Sequence, residues 1–433
     1  MQVDINYAKG ALTLDLDDSY EVTVIGKRPM PVLADPKQAI NDAIDNPTGS
    51  GPTLDDLSAP GKTACILICD ITRPVPNGLF LPILIRRLLD RGVAADDITV
   101  LVATGLHRPN EGAELIELVG SQWVMDTVRV ENHFARDDAA HTDLGKTPTR
   151  GTAVRIDSRF VTADIRIATG LVEPHFMAGY SGGRKVIAPG VAHAETITTF
   201  HNAEFMENPN AINCNLAGNP LHEEQLEIVK KVGGALALNT VIDEERRLSF
   251  VTFGEIIESH GQAVNFVKNY TEVTVPRLYK TVVTSAAGYP LDKTYYQTVK
   301  GMVGAMDILE PGGNLIIASA CEEGIGSAEF AESQKRLVAL GADGFLAEIQ
   351  KKTRADIDEW QTEMQLKPMR IGTIHLYTDG LSAAEQALTG VEIVSSVEQA
   401  VAKSVAETGD RAIAVIPEGP YVIPSYLAQA KAG

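Results

Sequence analysis

The sequence predicts an α/β protein of two domains, in which each domain is a mainly parallel sheet flanked by helices. Short continuous apolar runs, which are typical of strands buried on both faces, alternate with segments whose apolar residues have helical spacing. This alternation occurs twice, first from Thr63 and again from about residue 275. The chain has 433 residues, which is enough for two domains of this kind.

Three units of strand, loop and helix make up the first series. Its strands are predicted in TACILICD, DITVLVATG and ADIRIATG. Its helices are predicted in GLFLPILIRRLLDRG, EGAELIELVG and AETITTFHN. The third unit differs from the others because a glycine-rich segment, MAGYSGGRKVIAPGVA, separates its strand from its helix.

The second series begins after a predicted helix in EIIESHGQAVNFVKNY. Its strands are predicted in KTVVTSA, GGNLIIASA, RIGTIHLY, VEIVSS and RAIAVIP. The two series place an N-terminal domain at residues 1–272 and a C-terminal domain at residues 273–409. We expect the C-terminal tail, about residues 410–433, to pack back on the N-terminal domain.

The composition excludes several classes of function. The formal net charge is −19, and so acidic a protein repels the phosphates of nucleic acid and of membrane lipids. We therefore expect neither nucleic acid nor a membrane as a partner. We expect no leader sequence, because MQVDINYAKG lacks a basic stretch followed by an apolar one, and no later run is apolar for the roughly 20 residues that a membrane helix needs. The four cysteines have no zinc spacing and are expected to be reduced thiols, so the cytoplasm is the expected location.

Candidate functional residues follow the strands of the first series. Asp70, Thr72 and Arg73 come after the first strand, His107 after the second and His175 after the third. Ligands of parallel sheets bind beyond the carboxyl ends of the strands, so these side chains are expected to share one crevice. An arginine held between prolines suits a carboxylate or phosphate ligand. The alternative is that the loop histidines are solvated or cap neighbouring elements.

The glycine-rich segment GYSGGRKVIAPG is the most distinctive local feature. It is neither a Walker loop nor a G-x-G-x-x-G fingerprint, but its glycines allow a close approach of the backbone to an anion. The like charge of Arg184 disfavours the ammonium form of Lys185. Lys185 is therefore interpreted either as a nucleophilic or covalently attached amine or as a solvated lysine.

A metal site made only of protein ligands is not indicated. His175, His193 and His201 lie in one stretch, but without the spacing of known metal motifs, so other donors would have to supply most of the coordination. In YYQTVK, Gln297 and Lys300 share one helix face and can hold a small acid, unless this face is a surface edge. Trp360 is either a lid over the site or a core anchor.

Four motifs, taken together, resemble the lactate racemase family, whose members use a nickel-pincer nucleotide. They are DITRPVPN, ATGLHRP, EPHFMAGYSGGRKVIAPGVA followed by His201, and GYPLDKTYYQTVKGM. The four motifs occur in the family's order from about residue 60 to 310, and a weaker similarity continues at Trp360 and in AVIPEG. The resemblance places the active site in the cleft between the two domains.

The resemblance implies a pyridinium-3,5-bisthiocarboxylic acid mononucleotide that carries nickel and is covalently attached at Lys185. It makes His201 the protein ligand of nickel. It also makes Asp70, Thr72 and Arg73 a cofactor-binding segment of a cofactor-binding and catalytic N-terminal domain. Proteins of the cofactor-synthesis pathway are then needed for maturation.

The same resemblance implies that His107 and His175 are paired acid/base residues. It assigns the binding of a 2-hydroxy acid to Arg73 and to three residues of a substrate-closing C-terminal domain, namely Gln297, Lys300 and Trp360. The implied activity is a racemase or epimerase that inverts C2 of lactate or a related 2-hydroxy acid. The implied mechanism is proton-coupled hydride transfer to the cofactor.

Two alternatives of other classes stay open from the sequence. A NAD-dependent 2-hydroxy acid dehydrogenase would also move hydride, but the dinucleotide fingerprint is missing. A non-catalytic ligand-binding homologue would keep the fold, although both histidines, Lys185 and His201 are present. The substrate is also open: the two adjacent carboxylates in CEEGIGSAEF, Glu322 and Glu323, suit a hydroxylated substrate better than one with a second acid group, unless they are only solvated.

Overall fold

The computed structural model of the chain describes residues 1–426. The strands of this part of the chain are β1 (Gln2–Tyr7), β2 (Gly10–Asp15), β3 (Glu21–Val24), β4 (Ala64–Cys69), β5 (Ile98–Ala103), β6 (Arg129–Asn132), β7 (His141–Lys146), β8 (Ala153–Asp157), β9 (Ile165–Leu171), β10 (Pro174–His175), β11 (Gly179–Tyr180), β12 (Leu236–Ile242), β13 (Leu248–Glu255), β14 (Glu272–Val275), β15 (Tyr279–Ser285), β16 (Leu309–Ala318), β17 (Thr373–Tyr377), β18 (Glu392–Val394), β19 (Ala412–Ile416) and β20 (Ile423–Tyr426). The α-helices are α1 (Pro36–Asp45), α2 (Leu54–Leu57), α3 (Asn77–Asp90), α4 (Gly112–Val119), α5 (Gln122–Thr127), α6 (Ser158–Thr162), α7 (Arg184–Ile187), α8 (Ala194–Thr199), α9 (Ala203–Met206), α10 (Pro220–Val232), α11 (Ile256–Thr271), α12 (Tyr295–Ala305), α13 (Ala328–Ile349), α14 (Glu359–Met369), α15 (Ala383–Gln386) and α16 (Val397–Thr408).

The first sheet has six strands in the order β13-β12-β9-β4-β5-β6. All neighbours are parallel except β13, which pairs antiparallel with β12. The strands predicted from TACILICD, DITVLVATG and ADIRIATG are β4, β5 and β9, which are neighbours. In β4, Ile66 and Ile68 face one core while Cys65 and Leu67 face another, so the strand is apolar on both faces.

The second sheet has six strands in the order β18-β17-β16-β15-β19-β3, and all of them are parallel. Five of them are the strands predicted for the second series. The predicted fold class, a protein of parallel-rich sheets flanked by helices, is therefore confirmed. None of the helices within residues 1–426 is both long and apolar enough to cross a membrane.

The N-terminal segment adds the sixth strand, β3, to the second sheet. Val22 of β3 pairs with Ile413 of β19, and the β1–β2 hairpin packs its residues Ile5 and Leu14 into the core on that side of the sheet. Although the sequence analysis assigned residues 1–272 to the first domain, the hairpin and β3 thus pack with the second. The reason is that the apolar edge of β19 has to be paired and covered.

The two strands of the predicted C-terminal tail pair with different parts of the structure. Strand β19 lies in the second sheet, whereas β20 pairs with β14 at the boundary between the two series. Residues 427–433 of that tail lie outside the described part of the chain. The domain limits at residues 272 and 409 stay predictions.

Candidate active site

A cavity of about 210 Å³ lies at the carboxyl ends of β4, β5 and β9, with α12 and the start of α14 across from them. Every site residue predicted from the sequence lines this cavity: Asp70, Thr72, Arg73, His107, His175, Lys185, His201, Gln297, Lys300 and Trp360. The loops after parallel strands converge at one edge of a sheet, which explains why residues so distant in the chain meet here. The role of each residue stays a prediction.

His107 and Asp70 form a hydrogen-bonded pair at this edge. The His107 Nδ1 atom lies 2.7 Å from Asp70 Oδ2, and the Thr72 hydroxyl donates to Asp70 Oδ1 at 2.6 Å. Burial would lower the pKa of His107, but the charge and the hydrogen bond of Asp70 outweigh it and raise that pKa above its usual value. Nδ1 donates to the carboxylate, so the Nε2 atom of a neutral His107 carries the free lone pair.

His175 is held in a different electrostatic environment. Its Nδ1 atom accepts from the backbone N–H groups of Met177 and Ala178 at 3.4 and 3.3 Å. Nε2 lies 2.9 Å from the amine of Lys185. Burial, followed by the charges of Lys185 and Arg73, holds the pKa of His175 well below its usual value. The pKa values of the two histidines are therefore shifted in opposite directions.

Lys185 stands in a short helical turn that follows the glycines. Gly183 has φ of +49° and packs against the ring of His260, where a Cβ atom would lie 2.9 Å from the ring. Arg184 is buried and donates to the carbonyl of Ala178 and to His260. The pKa of Lys185 is held well below its usual value, chiefly by burial and then by neighbouring cations that include Arg184. Burial therefore disfavours the ammonium form of Lys185 more than the like charge of Arg184 does.

His201 is a neutral imidazole at the other side of the cavity. Its Nδ1–H donates to the carbonyl of Ile197 at 2.8 Å, and its ring packs against Trp360 with 4.9 Å between ring centroids. Burial lowers the pKa of His201 to about 3, so Nε2 keeps its lone pair at neutral pH. Within residues 1–426 no cluster of three or more His, Cys, Asp or Glu side chains is arranged to hold a metal ion.

The cationic residues of the cavity differ in whether they are paired. Arg73 forms an ion pair with Glu173. Lys300 has no carboxylate within ion-pair distance in the described part of the chain. Burial and the nearby charge of Arg73 lower the pKa of Lys300 to about 7, despite the opposing charge of Asp70. Lys300 is therefore available for an anionic ligand.

Two buried amide atoms of the cavity have no partner among residues 1–426. They are Gln297 Oε1, an acceptor on α12, and Asn213 Nδ2, a donor that precedes α10. A buried polar atom without a hydrogen bond costs about 1–3 kcal/mol, so such atoms are normally satisfied. Their presence in one cavity indicates a polar ligand with both acceptor and donor atoms.

Sequence reasoning missed several residues of the cavity, among them Asp358, Asn213 and Tyr421. The only sequence signal for Asp358 is its position two residues before Trp360. Glu322 and Glu323 do not line the cavity in the described structure. Both are exposed and Glu323 pairs with Lys293, which agrees with the alternative that these carboxylates are solvated.

Comparison with known proteins gives consistent matches over most of the chain. Residues 7–213 match the family described as the lactate racemase N-terminal domain, and residues 277–424 match the lactate racemase C-terminal domain. A lactate racemase of Lactiplantibacillus plantarum is 30% identical over 429 residues, which cover 97% of this chain and 99% of that protein. A lactate racemase of Thermoanaerobacterium thermosaccharolyticum is 30% identical over 436 residues, which cover 97% and 98%.

Solved structures agree with these sequence matches. The lactate racemase apoprotein from Thermoanaerobacterium thermosaccharolyticum has a TM-score of 0.89 at 28% identity and covers 98% of this chain and 100% of its own. A protein from Thermotoga maritima has a TM-score of 0.69 at 16% identity, over 92% of this chain and 100% of its own. The second comparison shows a shared fold only.

Proposed function

Since the chain belongs to the lactate racemase family and is an isomerase, we propose that it inverts C2 of a 2-hydroxy acid, either lactate or a close relative. One observation carries the proposal. His107 and His175, which have opposite pKa shifts, line a single cavity together with the unpaired cation Lys300. Pairs of titratable groups whose environments push their pKa values apart are typical of acid/base catalysis.

The residues of the cavity fit the nickel-pincer nucleotide that the sequence resemblance implies. The buried neutral amine of Lys185 is a suitable nucleophile for covalent attachment, and the free Nε2 of His201 suits a metal whose other donors come from the cofactor. The unpartnered Asn213 Nδ2 is a donor for a polar group of such a ligand. When bound, the cofactor supplies an electrophilic carbon that can accept the C2 hydrogen with its electron pair.

The two histidines would handle the hydroxyl proton of the substrate. The hydrogen on C2 is not acidic enough for a side chain to remove as a proton. An imidazole can instead take the proton of the C2 hydroxyl while C2 is oxidised, because the oxygen then becomes a carbonyl oxygen. The hydroxyl groups of the two enantiomers point to different sides, so each needs its own base. His107 Nε2, the ring atom that Asp70 leaves free, would serve one enantiomer and His175 the other.

The carboxylate of the substrate would bind to Lys300 and to the Arg73 guanidinium. Arg73 presents several N–H donors, so its contact with Glu173 leaves others free for a carboxylate. The Gln297 side chain, which lines the cavity, would donate from its amide Nε2 to the C2 hydroxyl oxygen and so orient C2, which leaves the hydroxyl proton to the histidine. Trp360, which contacts His201, would form an apolar wall that excludes water.

We expect the activity to depend on maturation by cofactor-synthesis proteins, and the cytoplasm stays the proposed location. The four cysteines, which are all unpaired, are consistent with a reducing compartment.

The test measures interconversion of D- and L-lactate by chiral chromatography, using protein produced together with the cofactor-synthesis proteins. His107→Ala and His175→Ala are each expected to lose about 10²–10⁴-fold in both directions, as is usual for removal of an acid/base group. His222→Ala is the matched control, because His222 does not line the cavity. Wild-type rates in either variant would contradict the two-base assignment. Stoichiometric NADH formation would favour the dehydrogenase, and no turnover of any 2-hydroxy acid would favour the binding homologue.

A further inference from the structure

Asp358 is a cavity carboxyl group to which the proposed function gives no role. Three carboxyl groups of the described chain line the cavity. Asp70 is bonded to His107, and Glu173 is paired with Arg73. Asp358 differs from both, because no Lys, Arg or His of residues 1–426 lies within ion-pair distance of it.

The conformation of Asp358 is unusual although aspartate tolerates it. Asp358 immediately precedes α14 and has φ of +62°, a left-handed conformation that is uncommon outside glycine and that aspartate adopts more readily than most residues. The Asp358 side chain makes no capping hydrogen bond to α14. Its Oδ2 instead accepts from the hydroxyl of Ser327 at 2.5 Å, and the Tyr296 hydroxyl lies beside the carboxyl group. Strained residues of this kind are often functional.

The carboxyl group of Asp358 has unused capacity to accept hydrogen bonds. An ionised carboxylate offers about four acceptor sites, and the two neutral hydroxyl donors fill only part of them. Gln297 Oε1, on the neighbouring helix α12, is a second unsatisfied acceptor of the same cavity. In the proposed function a histidine takes the single proton of the C2 hydroxyl, so this hydroxyl cannot donate to either acceptor. A substrate that donates to Asp358 therefore needs a further hydroxyl group.

We propose that Asp358 is a specificity-determining residue that selects 2-hydroxy acids with a hydroxyl on C3, of which glycerate is the smallest, and disfavours those with a second carboxylate. The proposal rests on the proposed function, because it concerns the substrate of the same site. A hydroxyl can donate to the Asp358 carboxylate, whereas a methyl group leaves it without a partner. A second carboxylate of the substrate would meet the like charge of Asp358, which forms no ion pair within residues 1–426 and is offset only in part by the charge of His107.

The first experiment compares substrates that differ in one group. Holoenzyme is supplied with lactate, glycerate or malate, in which C3 carries hydrogen, a hydroxyl or a carboxylate, and kcat/KM for inversion at C2 is measured by chiral chromatography. A site built to bond a substrate hydroxyl rejects the analogue that lacks it. We expect glycerate to exceed lactate by about tenfold or more, with malate the poorest of the three.

The second experiment changes Asp358. In Asp358→Ala we expect the glycerate-to-lactate ratio of kcat/KM to fall by about tenfold. In Asp358→Asn, which has nearly the same shape but no charge, we expect the malate-to-lactate ratio to rise by about tenfold. Asp343→Asn removes the same charge from an exposed site on α13 and is expected to leave all three ratios unchanged.

The outcomes separate this inference from the proposed function. If wild-type holoenzyme inverts none of the three acids, the proposed function fails and the inference fails with it. If lactate or malate is used as well as glycerate, or if the ratios are the same in the Asp358 variants, the inference is overturned while the proposed function stands. Should the variants not fold, as judged by circular dichroism, the ratios of the wild-type enzyme decide alone.

Discussion

Lys300 makes the binding of a carboxylate substrate dependent on pH. Burial and Arg73 lower the pKa of this lysine to about 7, whereas the usual value is about 10.4. Its ammonium form, which attracts a carboxylate, is therefore present below pH 7 and is lost as the pH rises through that value. At a pKa of about 7 the side chain is about nine-tenths protonated at pH 6 and about one-hundredth protonated at pH 9.

This titration sets the expected size of the effect. If only the ammonium form binds, the dissociation constant for lactate rises about tenfold per pH unit above 7, and about a hundredfold between pH 6 and pH 9. In Lys300→Arg the charge persists over this range, because a guanidinium has a pKa above about 12. The dependence should then become nearly flat, and what remains should reflect His107, whose pKa is raised by Asp70.

The measurement uses the cofactor-free protein, in which no turnover interferes. Lactate is titrated at each pH while the fluorescence of Trp360 is followed, since this residue lines the cavity and the other tryptophan, Trp123, does not. Lys293→Arg is the matched control, because Lys293 is paired with Glu323 outside the cavity. An affinity that is constant from pH 6 to pH 9, or one that falls equally in Lys300→Arg, would refute the reasoning.

Further predictions concern the other groups of the site. In Asp70→Asn the pKa of His107 should fall, because the carboxylate that raises it is gone. The acidic limb of the plot of kcat/KM against pH should then move to lower pH. An acidic limb at the wild-type position would contradict the effect of Asp70 on the pKa of His107. In Lys185→Ala the holoenzyme preparation should show no cofactor mass by intact-mass spectrometry, and an unchanged adduct would exclude attachment at this residue. In His201→Ala the bound nickel should fall well below one equivalent by elemental analysis, while nickel equal to the wild type would remove His201 as a ligand.

Much of this site follows from the sequence because of one rule of α/β folds. Asp70, His107 and His175 each follow an apolar run that is long enough for a strand but too short for a helix. Such runs form neighbouring parallel strands, and their carboxyl ends meet. The burial of Lys185 is less directly encoded, since it depends on how Gly183 packs against His260.

The contribution of the C-terminal helices is harder to predict. Gln297 and Lys300 can be placed on one helix face from their spacing, but nothing in the spacing shows that this face meets the strand ends of the other domain. Asp358 is missed because its position depends on how α13 and α14 pack, which brings Ser327 beside it. Strand β3 is missed as a member of the second sheet because its partner, β19, is almost a whole chain length away.

The pairing of β3 with β19 means that the second sheet can be completed only late in translation. Strand β3 leaves the ribosome among the first residues, but its partner strand β19 is translated about 390 residues later, roughly 20–80 s at ordinary elongation rates. During this interval the nascent N-terminal segment has no native edge to join, while the strands of the first sheet can already assemble behind it. Strand β3 is thus synthesised long before the strand with which it pairs. A truncation or fusion at the N-terminal end therefore affects the packing of the second sheet, whose other strands lie in the C-terminal part of the chain.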